Sequence, residues 1–159
     1  MDSIVEELMA AHLRAEQLRI EARRTLVDAI RKGVAAGMTQ REIAAAVGRS
    51  QPEVARLLRF HATTPRGRKL LKYRREVLDL AAEHGFRNVR VFGSVARGED
   101  GPDSDIDLLA TFPAGLSLFD IGRVEVDLGR LVEEKVDLVQ DDALRPHVRD
   151  EILAEAVPL

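Results

Sequence analysis

Between Val89 and Leu109 the chain reads VRVFGSVARGEDGPDSDIDLL, and this stretch holds the residues best suited to chemistry. Asp105 and Asp107 flank Ile106 in an alternating segment that reads as a strand. Alternation puts both carboxylates on one face and Ile106 on the other. Two carboxylates about 7 Å apart on one face repel unless a positive charge sits between them. A hard divalent cation with oxygen ligands, Mg²⁺ above all, meets that need. Upstream, Gly93 and Ser94 form a sharp turn after the apolar run Val89 to Phe92. Glycine lets the backbone approach a ligand closely, and free N–H groups at a helix start attract anions. A phosphate-holding turn facing metal-holding carboxylates supplies the parts for phosphoryl or nucleotidyl transfer.

Gly-Ser, ten residues and then Asp-x-Asp resembles the signature of the DNA polymerase β-type nucleotidyltransferase superfamily. The string GSVARGEDGPDSDIDLL is similar to its smallest branch, the MNT-type (minimal nucleotidyltransferase) antitoxins paired with HEPN-domain RNase toxins. The resemblance runs from about Tyr73 to Leu159. It implies a third acidic residue on the next strand, and Asp137 is the matching position, an Asp among apolar neighbours in Lys135-Val136-Asp137-Leu138-Val139. A surface pair with Lys135 is the plainer alternative. The resemblance further implies a two-metal Mg²⁺ site on Asp105, Asp107 and Asp137, with ATP as substrate. Gly93, Ser94 and Arg97 would seat its phosphates. AMP would pass to a tyrosine of the partner toxin. Two other functions remain open at this stage: a DNA-binding regulator whose nucleotidyltransferase-like domain only senses nucleotide or binds a partner, and a transferase acting on a small molecule. Glu99, Asp100 and Asp103 read as loop solvation. His12, His61, His84 and His147 lack metal-ligand spacing and read as surface or packing residues.

The elements that must position this site follow from hydrophobic spacing. Pro65 begins a helix running to about His84, with Leu70, Leu71, Val77, Leu78, Leu80 and Ala81 on its apolar side and Gly85 as its stop. The basic run from His61 to Arg75 reads as a boundary and a solvated helix face. Ser117 caps a helix to about Glu134 with Leu118, Ile121, Val124, Leu128 and Leu131 inward. A last amphipathic helix runs from Pro146 to about Ala156, with Val148, Ile152, Leu153 and Ala156 on its apolar side.

The first part of the chain differs in kind. Met1 to Arg75 holds 16 Lys and Arg against 8 Asp and Glu, whereas Glu76 to Leu159 holds 8 against 19. A basic half joined to an acidic half implies two modules with different partners. Met1 to about Ala35 reads as one helix with an apolar stripe through Ile4, Leu8, Ala11, Ala15, Leu18, Ala22, Leu26 and Ala29. The stripe suits packing on its own domain, and its near-heptad spacing also suits a self-associating seam, hence a homo-oligomer. Thr39 with Glu42, and Ser50 with Glu53, form two capping boxes around a turn at Gly48. Two short helices so joined resemble a helix-turn-helix. That resemblance puts Ser50, Gln51 and Arg56 at base edges or phosphates, and Arg41, Arg49 and Arg59 at phosphates, of promoter DNA.

The expected architecture is therefore α+β. An all-α helix-turn-helix domain over 1–64 precedes a small polymerase β-like nucleotidyltransferase domain over 65–159 with a short mixed sheet. No run approaches the roughly 20 apolar residues of a membrane span. With no cysteine, disulfides and thiolate metal sites are excluded, which fits a cytoplasmic protein.

Overall fold

The computed structural model describes residues 2–159 and separates the chain into two compact units, Met1–Leu58 and Arg59–Leu159. Met1, the expected start of the first helix, lies outside the described residues.

The first unit is helical: α1 (Asp2–Ala35), α2 (Gln40–Val47) and α3 (Gln51–Leu57). Both capping boxes form. Thr39 caps α2 and Ser50 caps α3, each in reciprocal hydrogen bonds with the glutamate three residues on. Gly48 ends α2 in the left-handed region (φ 66°), a conformation that costs glycine least. The small core is Ile30, Ile43, Ala44 and Val54, with Leu26, Val47, Leu57 and Leu58 packed around it. Gly33 lets α1 approach α2 closely, because a Cβ there would lie 3.0 Å from Ile43. Only the C-terminal end of the α1 stripe is used in this way. Ile4, Leu8 and Leu18 are exposed, so packing on its own domain does not account for the N-terminal stretch.

The second unit runs α4 (Pro65–Lys72), α5 (Arg74–Glu83), β1 (Arg87–Phe92), α6 (Gly93–Arg97), β2 (Ile106–Thr111), α7 (Leu118–Val132), β3 (Val136–Gln140), α8 (Pro146–Glu155) and β4 (Val157–Pro158). The sheet order is β3-β2-β1-β4. β1 pairs antiparallel with both β2 and β4, and β2 pairs parallel with β3. The sheet is therefore mixed, and the chain as a whole is α+β. Val91, Ile106, Leu108 and Ala110 from the strands meet Leu70, Val77 and Ala81 from α4 and α5, and Val124, Leu128 and Val132 from α7, in one core. Phe86 closes its edge through a T-shaped contact with Phe112.

Two sequence expectations are corrected, and one element was not foreseen. The single helix from Pro65 to His84 is two, broken at Tyr73 (φ −98°, ψ 18°), and the bend lets Leu70 and Val77 both reach the core while Leu71 stays exposed. Leu118 does not face inward; it and Phe119 are exposed at the start of α7. α8 forms as expected with its apolar face half-buried at Val148 and Ile152, while Leu153 is exposed. The two-residue strand β4 has no pattern to announce it, yet it ties down the C-terminus. Phe60 N–H donates to the Pro158 carbonyl (3.0 Å) and Leu159 N–H to that of Val89 (3.2 Å).

Candidate active site

The parallel register of β2 and β3 places Asp107 directly beside Asp137. The antiparallel register of β1 and β2 places Phe92 beside Asp107, so the Gly93 turn that follows Phe92 lies against the same carboxylate. Gly93 adopts φ +72°, and a Cβ on it would collide with Asp107 Oδ2. This glycine is therefore required twice, by its backbone conformation and by the close approach. Ser94 is the second residue of α6. Asp105 lies one residue before β2 and joins the group through Lys135, whose ammonium donates to Asp105 Oδ2 and lies 3.5 Å from Asp137 Oδ1.

The electrostatics of this group are uneven. The hydrogen bond from Lys135 holds Asp105 below the ordinary carboxylate range, and Asp105 in turn raises Lys135. Asp107 goes the other way. Burial, then the charges of Asp137, Asp105 and Glu155, push it up to about 6. A carboxylate so placed favours a proton or a cation.

Among the described residues no three acidic or histidine side chains are gathered closely enough to hold a metal ion. Lys135, 67% exposed, stands as the positive charge between Asp105 and Asp137 instead. The donor set itself fits a hard divalent ion: carboxylate oxygens only, crowded by like charge around Asp107. Asp105, Asp107 and Asp137 are the residues that could hold it. The surface pair of Asp137 with Lys135, weighed from sequence as the alternative, is present in the same geometry.

Arg97 extends from the end of α6, but it is engaged. Its Nη1 donates to Glu155 Oε2 (2.7 Å) and its Nε to Glu99 Oε2 (2.9 Å). The other oxygen of Glu155 accepts the Gly93 backbone N–H at 2.8 Å. Glu155 thus reaches the Gly93 turn from α8, a placement that no local sequence pattern signals.

Arg66 is the other residue that sequence reading missed. It lies in the basic run expected to be a solvated helix face, yet its side chain is 11% exposed. It donates to Glu134 Oε2 (2.9 Å), Asp100 Oδ2 (3.2 Å) and the carbonyls of Gly101 (2.6 Å) and Pro102 (3.0 Å). One guanidinium therefore fastens the loop leading to Asp105 and the segment leading to Asp137. Asp100 is not loop solvation either: its side chain is 3% exposed, and its Oδ1 is buried without a hydrogen-bond partner. Arg66→Ala would leave that buried charge unpaired. Urea unfolding should show a loss of about 3 kcal/mol, with Arg66→Lys intermediate because an ammonium cannot reproduce the fork.

The residues assigned to DNA contact lie on the first unit, except Arg59, which opens the second. Arg41, Arg49, Gln51 and Arg56 are exposed. The Ser50 hydroxyl is taken up in the α3 cap, donating to Glu53 Oε2 at 2.7 Å.

A glycine turn after β1, apposed to carboxylates on two parallel neighbouring strands, is the arrangement of the polymerase β-like nucleotidyltransferase fold. The chain belongs to the nucleotidyltransferase domain family, whose model matches residues 70–159. Its relatives place it with the MNT-type proteins. It is 36% identical over 84 residues to a protein assigned by inference as protein adenylyltransferase MJ0435 of Methanocaldococcus jannaschii, which covers 53% of this chain and 90% of that one. It is 37% identical over 79 residues to protein adenylyltransferase MntA of Thermococcus cleftensis, covering 50% of this chain and 80% of that one. A solved structure assigned by inference as a minimal nucleotidyltransferase is 46% identical, superposes with a TM-score of 0.53, and covers 58% of this chain and 95% of its own. The family model leaves residues 1–69, most of the basic N-terminal half, outside its match. Among the described residues no helix is long and apolar enough to cross a membrane.

Proposed function

We propose that the chain transfers AMP from ATP to a tyrosine hydroxyl of a partner HEPN-type RNase toxin and so neutralises it. The observation that carries this reading is the register that sets Asp107 beside Asp137 and against the Gly93 turn. In the reaction a bond forms between the tyrosine oxygen and the α-phosphorus. The bond to the β-phosphate bridging oxygen breaks, and pyrophosphate leaves. Asp137 takes the hydroxyl proton. Gly93, Ser94 and Arg97 bind the β- and γ-phosphates. Asp105, Asp107 and Asp137 would hold two Mg²⁺ ions, which when bound offset the phosphate charge and make the hydroxyl more acidic. Co-expression with the toxin tests this: growth should be rescued by the wild-type chain and not by an Asp105→Ala/Asp107→Ala variant that still folds.

One observation favours a second reading, in which the domain senses nucleotide without turnover. Lys135 already sets one positive charge against Asp105 and Asp137. Nucleotide binding with no label transfer to any partner would select it.

The first unit we assign to operator binding, which would make the chain an autoregulator acting in the cytoplasm. Support comes from the doubly capped α2-turn-α3 and the exposed Arg41, Arg49 and Arg56. If Arg41 and Arg49 each neutralise a phosphate, affinity should fall about 12-fold per copy of the first unit between 50 and 200 mM salt. Electrophoretic retardation of the upstream DNA at several salt concentrations measures this. Specific binding that survives Gln51→Ala/Arg56→Ala would place the reading surface elsewhere.

A further inference from the structure

Glu155 sits where a like charge is unwelcome. Its side chain is 18% exposed, and its charge is near enough to Asp107 to raise that carboxyl. The pull that holds it there is specific. One oxygen takes the Gly93 amide at 2.8 Å and the other takes the Arg97 guanidinium at 2.7 Å. Gly93 and Arg97 are also two of the three residues to which the proposed function gives the triphosphate. A phosphate oxygen and a carboxylate oxygen make the same charge-assisted hydrogen bonds, so they compete for the same donors.

We propose that Glu155 is an internal stand-in for the triphosphate, whose carboxylate fills the anion seat made by the Gly93 amide and the Arg97 guanidinium and is displaced when nucleotide arrives. This inference rests on the adenylyl-transfer reading of the same turn. It accounts for an acid placed beside an acidic site: the contact satisfies the turn while no phosphate is present. It also gives nucleotide arrival a structural consequence. Glu155 is the last residue of α8, and β4 begins two residues later and pairs with β1. Displacement frees the C-terminal turn of α8 from the phosphate turn.

The sign of the expected effect separates this role from a merely structural one. Calorimetric titration of the full chain with AMP-PNP and Mg²⁺, and separately with inorganic tripolyphosphate and with adenosine, reads it directly. Glu155→Gln should bind AMP-PNP and tripolyphosphate about tenfold more tightly than the wild type, the order of one charge-assisted contact no longer competed for, and adenosine unchanged. Equal or weaker binding of tripolyphosphate by the variant, with the wild type still binding AMP-PNP, would make Glu155 a permanent latch and overturn the proposal alone. No AMP-PNP binding by either protein would overturn the nucleotide reading with it. Hydrogen exchange on the wild type gives an answer even where Glu155→Gln does not fold. The amides of residues 152–156 should exchange faster once AMP-PNP is bound, and unchanged or slower exchange contradicts displacement.

Discussion

Asp107→Asn should lower adenylyl transfer at least about a thousandfold while making the metal-free protein more stable at neutral pH. Both effects come from one cause. Asp107 is half-buried between Asp137, Asp105 and Glu155, and its carboxyl is pushed up to about 6. Its value in the unfolded chain is close to 3.8. A carboxyl whose folded pKa is raised contributes stability that is complete below the unfolded value and is lost as pH rises through the folded one. The wild-type chain without metal should therefore melt at a higher temperature at pH 5 than at pH 7. Asn carries no charge, so the variant should lack that dependence and exceed the wild type mainly above pH 6. Thermal melts of both proteins in EDTA across pH 4.5 to 7.5, beside label-transfer rates with Mg²⁺, check the pair of effects. Melting curves that differ equally at all pH values would show that Asp107 does not carry the repulsion assigned to it.

The second large effect belongs to Gly93. Gly93→Ala places a side chain at φ +72°, which costs about 1–2 kcal/mol for an L-residue. Its Cβ also meets Asp107 Oδ2, so the carboxylate must shift. A displacement of that kind in a reacting geometry can cost about a hundredfold in rate. Activity should therefore fall about a hundredfold, for a stability loss that leaves the protein folded. Gly48→Ala is the matched control. It has the same backbone strain at φ +66°, with nothing within 4 Å of the new Cβ, and it lies in the first unit. A similar loss of stability with full transferase activity is expected there. If both variants were equally inactive, backbone strain rather than the contact with Asp107 would be responsible.

Sequence patterns revealed this site unevenly, and the reason is physical. The Gly93 turn, the Asp105-Ile106-Asp107 alternation and both capping boxes are local: each hydrogen-bond pattern closes within a few residues, so residue type and spacing signal them. The sheet's mixed character was foreseen and the resemblance pointed to Asp137 on the next strand, but no local pattern sets the register that puts it directly beside Asp107. The residues that escaped notice act across the chain. Arg66 meets Glu134 at a separation of 68 residues, and Gly93 meets Glu155 at 62. A basic run and a helix-ending glutamate look the same in sequence whether they face water or clamp a loop. Periodicity misled for Leu118, because apolar spacing states which face could be buried and not whether anything covers it.

The central claim is that this site moves a nucleotidyl group and not a phosphoryl group. Incubating the chain and its co-purified partner with Mg²⁺ and either α-labelled or γ-labelled ATP tests it most directly. α-Label should become attached to a tyrosine of the partner, γ-label should appear only in pyrophosphate, and Asp105→Ala/Asp107→Ala should abolish both. Attachment of γ-label to the partner, or α-labelling that survives the double substitution, would contradict it.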